Sequence, residues 1–216
     1  VPIVLAILGG LFVFQQFGTR IVGGIFGPIM LIWFTMIGVL GLTEILKYPG
    51  VLHALNPYWA INLLVKYPGG FWLLGAVFLC TTGGEALYSD LGHCGKSNIR
   101  VSWAYVLSML LLCYFGESAL LLGHYNGQHW PEGRSAFYSM MPGWFLPIGI
   151  SVATMATIIA SQALISGSYT LSNEAMNLNF WPRISVRQPS EVKGQIYIPS
   201  VNSILWFGCV LMVIYF

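Results

Sequence analysis

The chain has 216 residues, of which only 7% are charged while 56% are hydrophobic and 15% aromatic. Soluble domains carry roughly 25% charged residues, so an ordinary water-soluble domain is excluded, and a net charge of +2 is too small to suggest a nucleic-acid partner. A membrane helix needs about 20 mostly apolar residues, which leaves room for about six in an all-α integral membrane protein.

Apolar windows predict those six spans at about Pro2 to Phe14, Phe26 to Leu42, Phe71 to Tyr88, Val101 to Leu122, Trp144 to Leu171 and Ile196 to Phe216. The first and last windows lie at the two ends of the sequence, so the chain reads as an excerpt of a longer protein. The first window lacks the basic n-region and small-residue cleavage site of a signal peptide. Between the first two spans, FGTRIVGGIFGP (17 to 28) reads as a glycine-rich turn, with Pro28 near the start of the next helix, where a missing amide hydrogen costs least. Segments 43 to 70 and 172 to 195 hold Pro49, Pro57, Pro68, Pro182 and Pro189 and read as loops with room for short interfacial helices. Alternating spans put Arg20, Lys96, Arg100, Arg183, Arg187 and Lys193 on one side, against Lys47, Lys66 and Arg134 on the other. The excess makes the first side cytoplasmic.

Glu85, in TTGGEALYSDLGHCGK (81 to 96), reads as the acidic residue well inside a predicted span. A mid-membrane carboxylate costs roughly 2.5 to 3.5 kcal/mol on insertion scales and by default faces a cavity or a partner. Thr81, Thr82, Tyr88 and Ser89 share its face at helical spacing. Gly83-Gly84 just before it is a point where a membrane helix can unwind and present carbonyl oxygens to an ion. This oxygen set suits a monovalent cation or a proton. Pairing of Glu85 with a basic group inside the bundle is the alternative. Asp90 lies about 140° around the helix and reads as a water-facing carboxylate near the cytoplasmic end, or as a partner for Lys96 or Arg100. His93 is about 12 Å further along the axis than Glu85, too far to share one metal with it in a straight helix.

The fifth window aligns Thr157, Ser161 and Ser168 along one seam, with Gln162 and Ser166 nearby. Such residues serve helix packing or line a polar cavity, and Gln162 is the best cavity candidate because an unpartnered buried amide is expensive. Ser161 and Asp90 are further lining candidates. Glu117 sits about a turn from the end of the fourth span, at the outer interface or on an access path. The tryptophans mostly fall near span ends, as an aromatic belt. The four cysteines show no C-x-x-C spacing and read as reduced structural thiols. No phosphate loop, catalytic triad or H-E-x-x-H occurs, so nothing indicates an enzyme.

In order along the chain, GGEALYSDLGHCGKSNIRVSW, CYFGESALLL, IIASQALISGSYTL and GQIYIPSVN resemble segments of the Kup/HAK/KT potassium uptake transporters. FQQFGTR, FGPIMLIWF and VLHALNP fit the same family, so the likeness runs from about residue 11 to 208. The resemblance implies a roughly twelve-span protein of the amino acid-polyamine-organocation superfamily with a LeuT-like inverted-repeat core, taking up potassium with protons across the plasma membrane, here the bacterial inner membrane. The chain would then be spans four to nine of one transport domain, without the first spans and the C-terminal cytoplasmic domain. EALYSDLGH resembles the family's EALYADMGH-type segment, which carries Thr82 and Glu85, with Tyr88 a weaker candidate, to the potassium or proton site. No cofactor and no metal beyond potassium is implied. The expected partners are membrane lipid, potassium and protons, with room for a homodimer. The chain departs from the family pattern in two places: Glu117 stands where Gln is usual, and Arg187-Gln188-Pro189 replaces a His-Thr-Ser run. An amino-acid permease of the same fold is the alternative, against which the charge of Glu85 argues. A membrane enzyme using Glu85, Asp90 and His93 as metal ligands is more distant.

Overall fold

The computed structural model describes residues 2–15, 20–67, 69–80, 96–125, 131, 133–187 and 196–215. They form eight α-helices: α1 (Pro2–Phe14), α2 (Arg20–Lys47), α3 (Pro57–Lys66), α4 (Gly70–Cys80), α5 (Lys96–Tyr125), α6 (Ala136–Ser139), α7 (Leu146–Asn177) and α8 (Pro199–Tyr215). A 3-10 helix, Pro49–Leu55, follows α2. Three helices contain stretches long and apolar enough to cross a membrane: Gly24–Lys47, Ser97–His124 and Leu146–Asn177. The predicted first, third and sixth spans correspond to the shorter described helices α1, α4 and α8.

The described residues fall into two compact units. One is drawn from residues 30–84 and 94–154. Its centre is the crossing of α2 with α5, where Met36, Ile37, Leu40, Cys113 and Leu120 pack with Met140 and Met141. Gly41 and Gly116 let the two backbones touch. A methyl group on Gly116 would lie 2.6 Å from the Gly41 carbonyl oxygen, and one on Gly41 would lie 2.8 Å from the Cys113 Cα. Without a hydrophobic drive between helices in lipid, such close approach is what holds them together. Contacts advance in step along both helices, from Thr35 with Tyr105 at 2.6 Å to Tyr48 beside Gly123, so α2 and α5 are parallel.

The other unit is drawn from residues 1–29 and 155–216. Phe12 of α1, Ile165, Tyr169 and Met176 of α7, and Ile198 just before α8 form its core. Ile198 is fully buried and Tyr169 nearly so, at 0% and 1% exposure. Arg187 and Tyr197 exchange backbone hydrogen bonds of 2.9 Å in both directions, and the Tyr197 ring meets Tyr169 edge-on at 5.8 Å.

Several helix ends differ from the sequence expectation, each for a local reason. Pro28 is internal to α2, because the predicted glycine-rich turn is helical from Arg20 onward; a membrane helix tolerates proline where its surroundings re-satisfy the freed carbonyl. At the other end α2 runs to Lys47, past Leu42, until Pro49 excludes helical backbone from Tyr48, which sits at φ −132° and ψ 77°. Helix α7 continues past Leu171 to Asn177. There Asn179 takes the left-handed conformation (φ 58°) and the Phe180 amide returns to the Ala175 carbonyl at 2.9 Å, a glycine-free version of the usual C-terminal cap. Trp33 is not at a span end: it lies in the middle of α2 and packs on Phe137 at 5.6 Å between ring centres.

Candidate functional site

Thr82, Glu85, Tyr88, Asp90 and His93 lie outside the described residues. The described structure leads up to them from both sides, through α4, which ends at Cys80, and α5, which begins at Lys96.

Gln162 and Ser161 are described, and their surroundings separate them. Ser161 donates to the Thr157 carbonyl at 2.8 Å, and Ser168, Thr170 and Ser172 likewise bond carbonyls four residues back. These hydroxyls are satisfied within their own helix. Gln162 instead accepts a hydrogen bond from Gln15 Nε2 across to the end of α1, and Gln15 is buried. Two turns further along α7, Tyr169 donates to Asn202 Oδ1 at 2.5 Å. The Asn202 amide in turn reaches the Phe12 carbonyl at 3.4 Å and the Tyr197 hydroxyl at 3.5 Å. Phe12 stands near the C-terminus of α1, where carbonyls lack helical partners, so Asn202 caps one of them. A cavity of about 320 Å³ opens beside this cluster, lined by Phe12, Val13, Tyr197, Asn202, Ser203 and Trp206. The polar network around Asn202 and Tyr169 does not appear among the sequence candidates. GQIYIPSVN and SGSYTL contain its residues, but nothing in their spacing says that they meet.

Two further carboxylates belong to the apolar helices of the other unit. Glu44 is only 4% exposed and accepts from Lys47 Nζ at 2.5 Å, one helical turn on. Sequence reasoning placed it in a loop; the signal that could have found it is the unbroken TEILK before Pro49, with acid and base at helical pairing distance. Glu117 lies eight residues, about 12 Å, before the end of α5 at Tyr125. It is therefore two turns deep, where the sequence reading had about one, because α5 outruns the predicted span. The Cys113 thiol faces Glu117 Oε1 at 3.8 Å. Among the described residues, Cys113 and Cys209 are free thiols. A cavity of about 480 Å³ beside α2 is lined by side chains such as Leu31, Ile32, Val39 and Trp144. Thr35, which donates to the Leu31 carbonyl at 2.7 Å, supplies the one side-chain oxygen among the cavity's lining residues, too few to make a ligand set for a cation.

Helices of membrane-crossing length and composition, with large apolar side chains such as Ile32, Val39, Trp72 and Phe78 turned outward, define an integral membrane protein. The whole chain, residues 1–216, matches the family described as the K+ potassium transporter integral membrane domain, and it belongs to that family, the Kup/HAK/KT transporters. Curated relatives named as probable potassium transport system protein Kup include those of Flavobacterium johnsoniae, 58% identical, and Cytophaga hutchinsonii, 55% identical, each over 100% of this chain. A third, from Clostridium perfringens, is 50% identical over 99% of it. The chain spans about a third of the length of these relatives: 33% in all three. No solved structure matches. These are transporters rather than enzymes, and the amino-acid permease alternative finds no support among them.

Proposed function

We propose that this chain is part of one transmembrane transport domain of a potassium uptake protein of the plasma membrane, and that uptake is coupled to protons. The observation that carries the reading is the whole-chain family match together with one carboxylate, Glu85, deep in an apolar run. In this proposal residues 1–216 supply spans four to nine of a roughly twelve-span, LeuT-like inverted-repeat fold, with room for a homodimer. Glu85 and Thr82, with Tyr88 beside them, form the potassium or proton site after the Gly83-Gly84 break. Asp90 and His93 belong to its cytoplasmic mouth, and Gln162 and Ser161 to the neighbouring helix.

The physical argument is one of charge. A cation can drive alternating access only through different affinity for the two states. A carboxylate that gains or loses a proton in low dielectric changes local charge by one unit, and with it the cation affinity. Rubidium uptake against external pH, measured in potassium-starved cells with the full-length protein, tests this. Glu85→Gln is expected to abolish the pH-dependent uptake while leaving the amount of protein in the membrane unchanged. Normal uptake by that variant across acidic pH would sink the assignment.

A further inference from the structure

We propose that α3 is a phospholipid-binding element. One arc of the helix lies among acyl chains in the membrane interface, and the groove on its opposite side holds a lipid phosphate. At about 100° per residue, Pro57, Tyr58, Ala60, Ile61, Leu64 and Val65 share one apolar arc of PYWAINLLVK. No residue of α3 is buried, and Ile61 and Val65 are 62% and 79% exposed. The other side carries Asn62 and Lys66 a turn apart, with Trp59 alongside. Together with Leu63 and Tyr67 they line a groove of about 460 Å³.

The chain holds this helix at the level where a membrane-length helix ends. Helix α2 stops at Lys47, the 3-10 helix follows, and the Asn56 side chain starts α3 by accepting from the Tyr58 amide at 3.0 Å. At the far end the Tyr67 and Gly70 amides bond the Leu63 and Tyr67 carbonyls at 2.9 Å each and lead into the apolar α4. Lys66 has no carboxylate partner among the described residues, and the Glu44 carboxylate is occupied by Lys47. An ammonium with no carboxylate partner among the described residues, framed by an amide and two aromatic rings, complements an anion, and an apolar arc on the reverse side complements hydrocarbon. A phospholipid supplies both from one class of molecule, which is the combination interfacial amphipathic helices use. The inference is independent of which ion the protein carries.

The test uses the full-length protein in nanodiscs of phosphatidylglycerol and phosphatidylcholine, with nitroxides on Val65→Cys or Asn62→Cys in a cysteine-free background. The label at 65 is expected to collide with lipid-dissolved oxygen and be shielded from a water-soluble nickel chelate, and the label at 62 to be reached by the chelate. One basic side chain near an anionic surface is worth about fivefold in lipid affinity. Phosphatidylglycerol retained through purification, counted by mass spectrometry, should therefore fall by about that factor in Lys66→Gln and recover in Lys66→Arg. A label at 65 reached by nickel as readily as that at 62 overturns the proposal. So does a label at 65 shielded from both reagents, the mark of a covering protein segment, and so does unchanged lipid retention in Lys66→Gln.

Discussion

Gly41 and Gly116 show how a single hydrogen side chain decides a helix pair. At their crossing the backbones are in contact, so the first added carbon meets main chain, not a side chain that could swing away. Overfilling a packed site costs about 1–3 kcal/mol, and here the only relief is to part α2 from α5 and open the cluster of Ile37, Leu40, Cys113 and Leu120. Gly116→Ala is expected to lower the thermal midpoint of the purified full-length protein by a loss in that range. The control is Gly123→Ala: a methyl group there would only touch the Tyr48 ring, 3.6 Å away, and should stay within about 0.5 kcal/mol. Equal midpoints for the two variants would show that the crossing is loose. The glycines were visible in GVLGL and YFGES, but the partner of each was not, since a small residue marks close approach without naming what approaches.

At the scale of elements, α7 is tied to its neighbours by amide and hydroxyl pairs, and their value depends on both partners being present. Gln15 Nε2 donates to Gln162 Oε1 between α1 and α7. Removing one leaves the polar atom of the other, buried Gln15 or half-buried Gln162, unmet, at about 1–3 kcal/mol, whereas replacing both with apolar groups of similar shape can be nearly neutral. Gln15→Leu and Gln162→Leu should therefore each lower the thermal midpoint more than the double substitution does. The coupling from the full cycle is expected near 0.6 and not above about 1.7 kcal/mol, the scale of measured polar pairs in membranes. Additive losses would mean that the two side chains do not interact. The sequence reading singled out Gln162 because an amide in an apolar helix demands a partner. It could not supply Gln15, which lies 147 residues away. The apolar runs of α1, α5, α7 and α8 were legible for the opposite reason: hydropathy is local. Their ends were less so, because termination rests on single backbone events such as Asn179 and Pro49.

For the molecule as a whole, the parallel packing of α2 and α5 constrains the path of the chain. Thr35, midway along α2, meets Tyr105, and further along both helices Tyr48 meets Gly123, so two helices of membrane-crossing length point the same way. If both cross the bilayer, the chain leaves α2 on one side and starts α5 on the other, and the connection from 48 to 95 must recross. The sequence reading has one span there, from Phe71 to Tyr88, which is also where Glu85 falls. The charge count adds direction: Lys47 and Lys66 precede that recrossing on the outer side, while Lys96 and Arg100 follow it on the cytoplasmic side with the larger share of positive residues. In a cysteine-free full-length protein, Lys66→Cys is expected to react with a membrane-impermeant maleimide added to intact cells. Arg100→Cys should react only after the membrane is opened. Labelling of both from outside would mean that no crossing separates them, and Glu85 would then lose the membrane setting on which its proposed role depends.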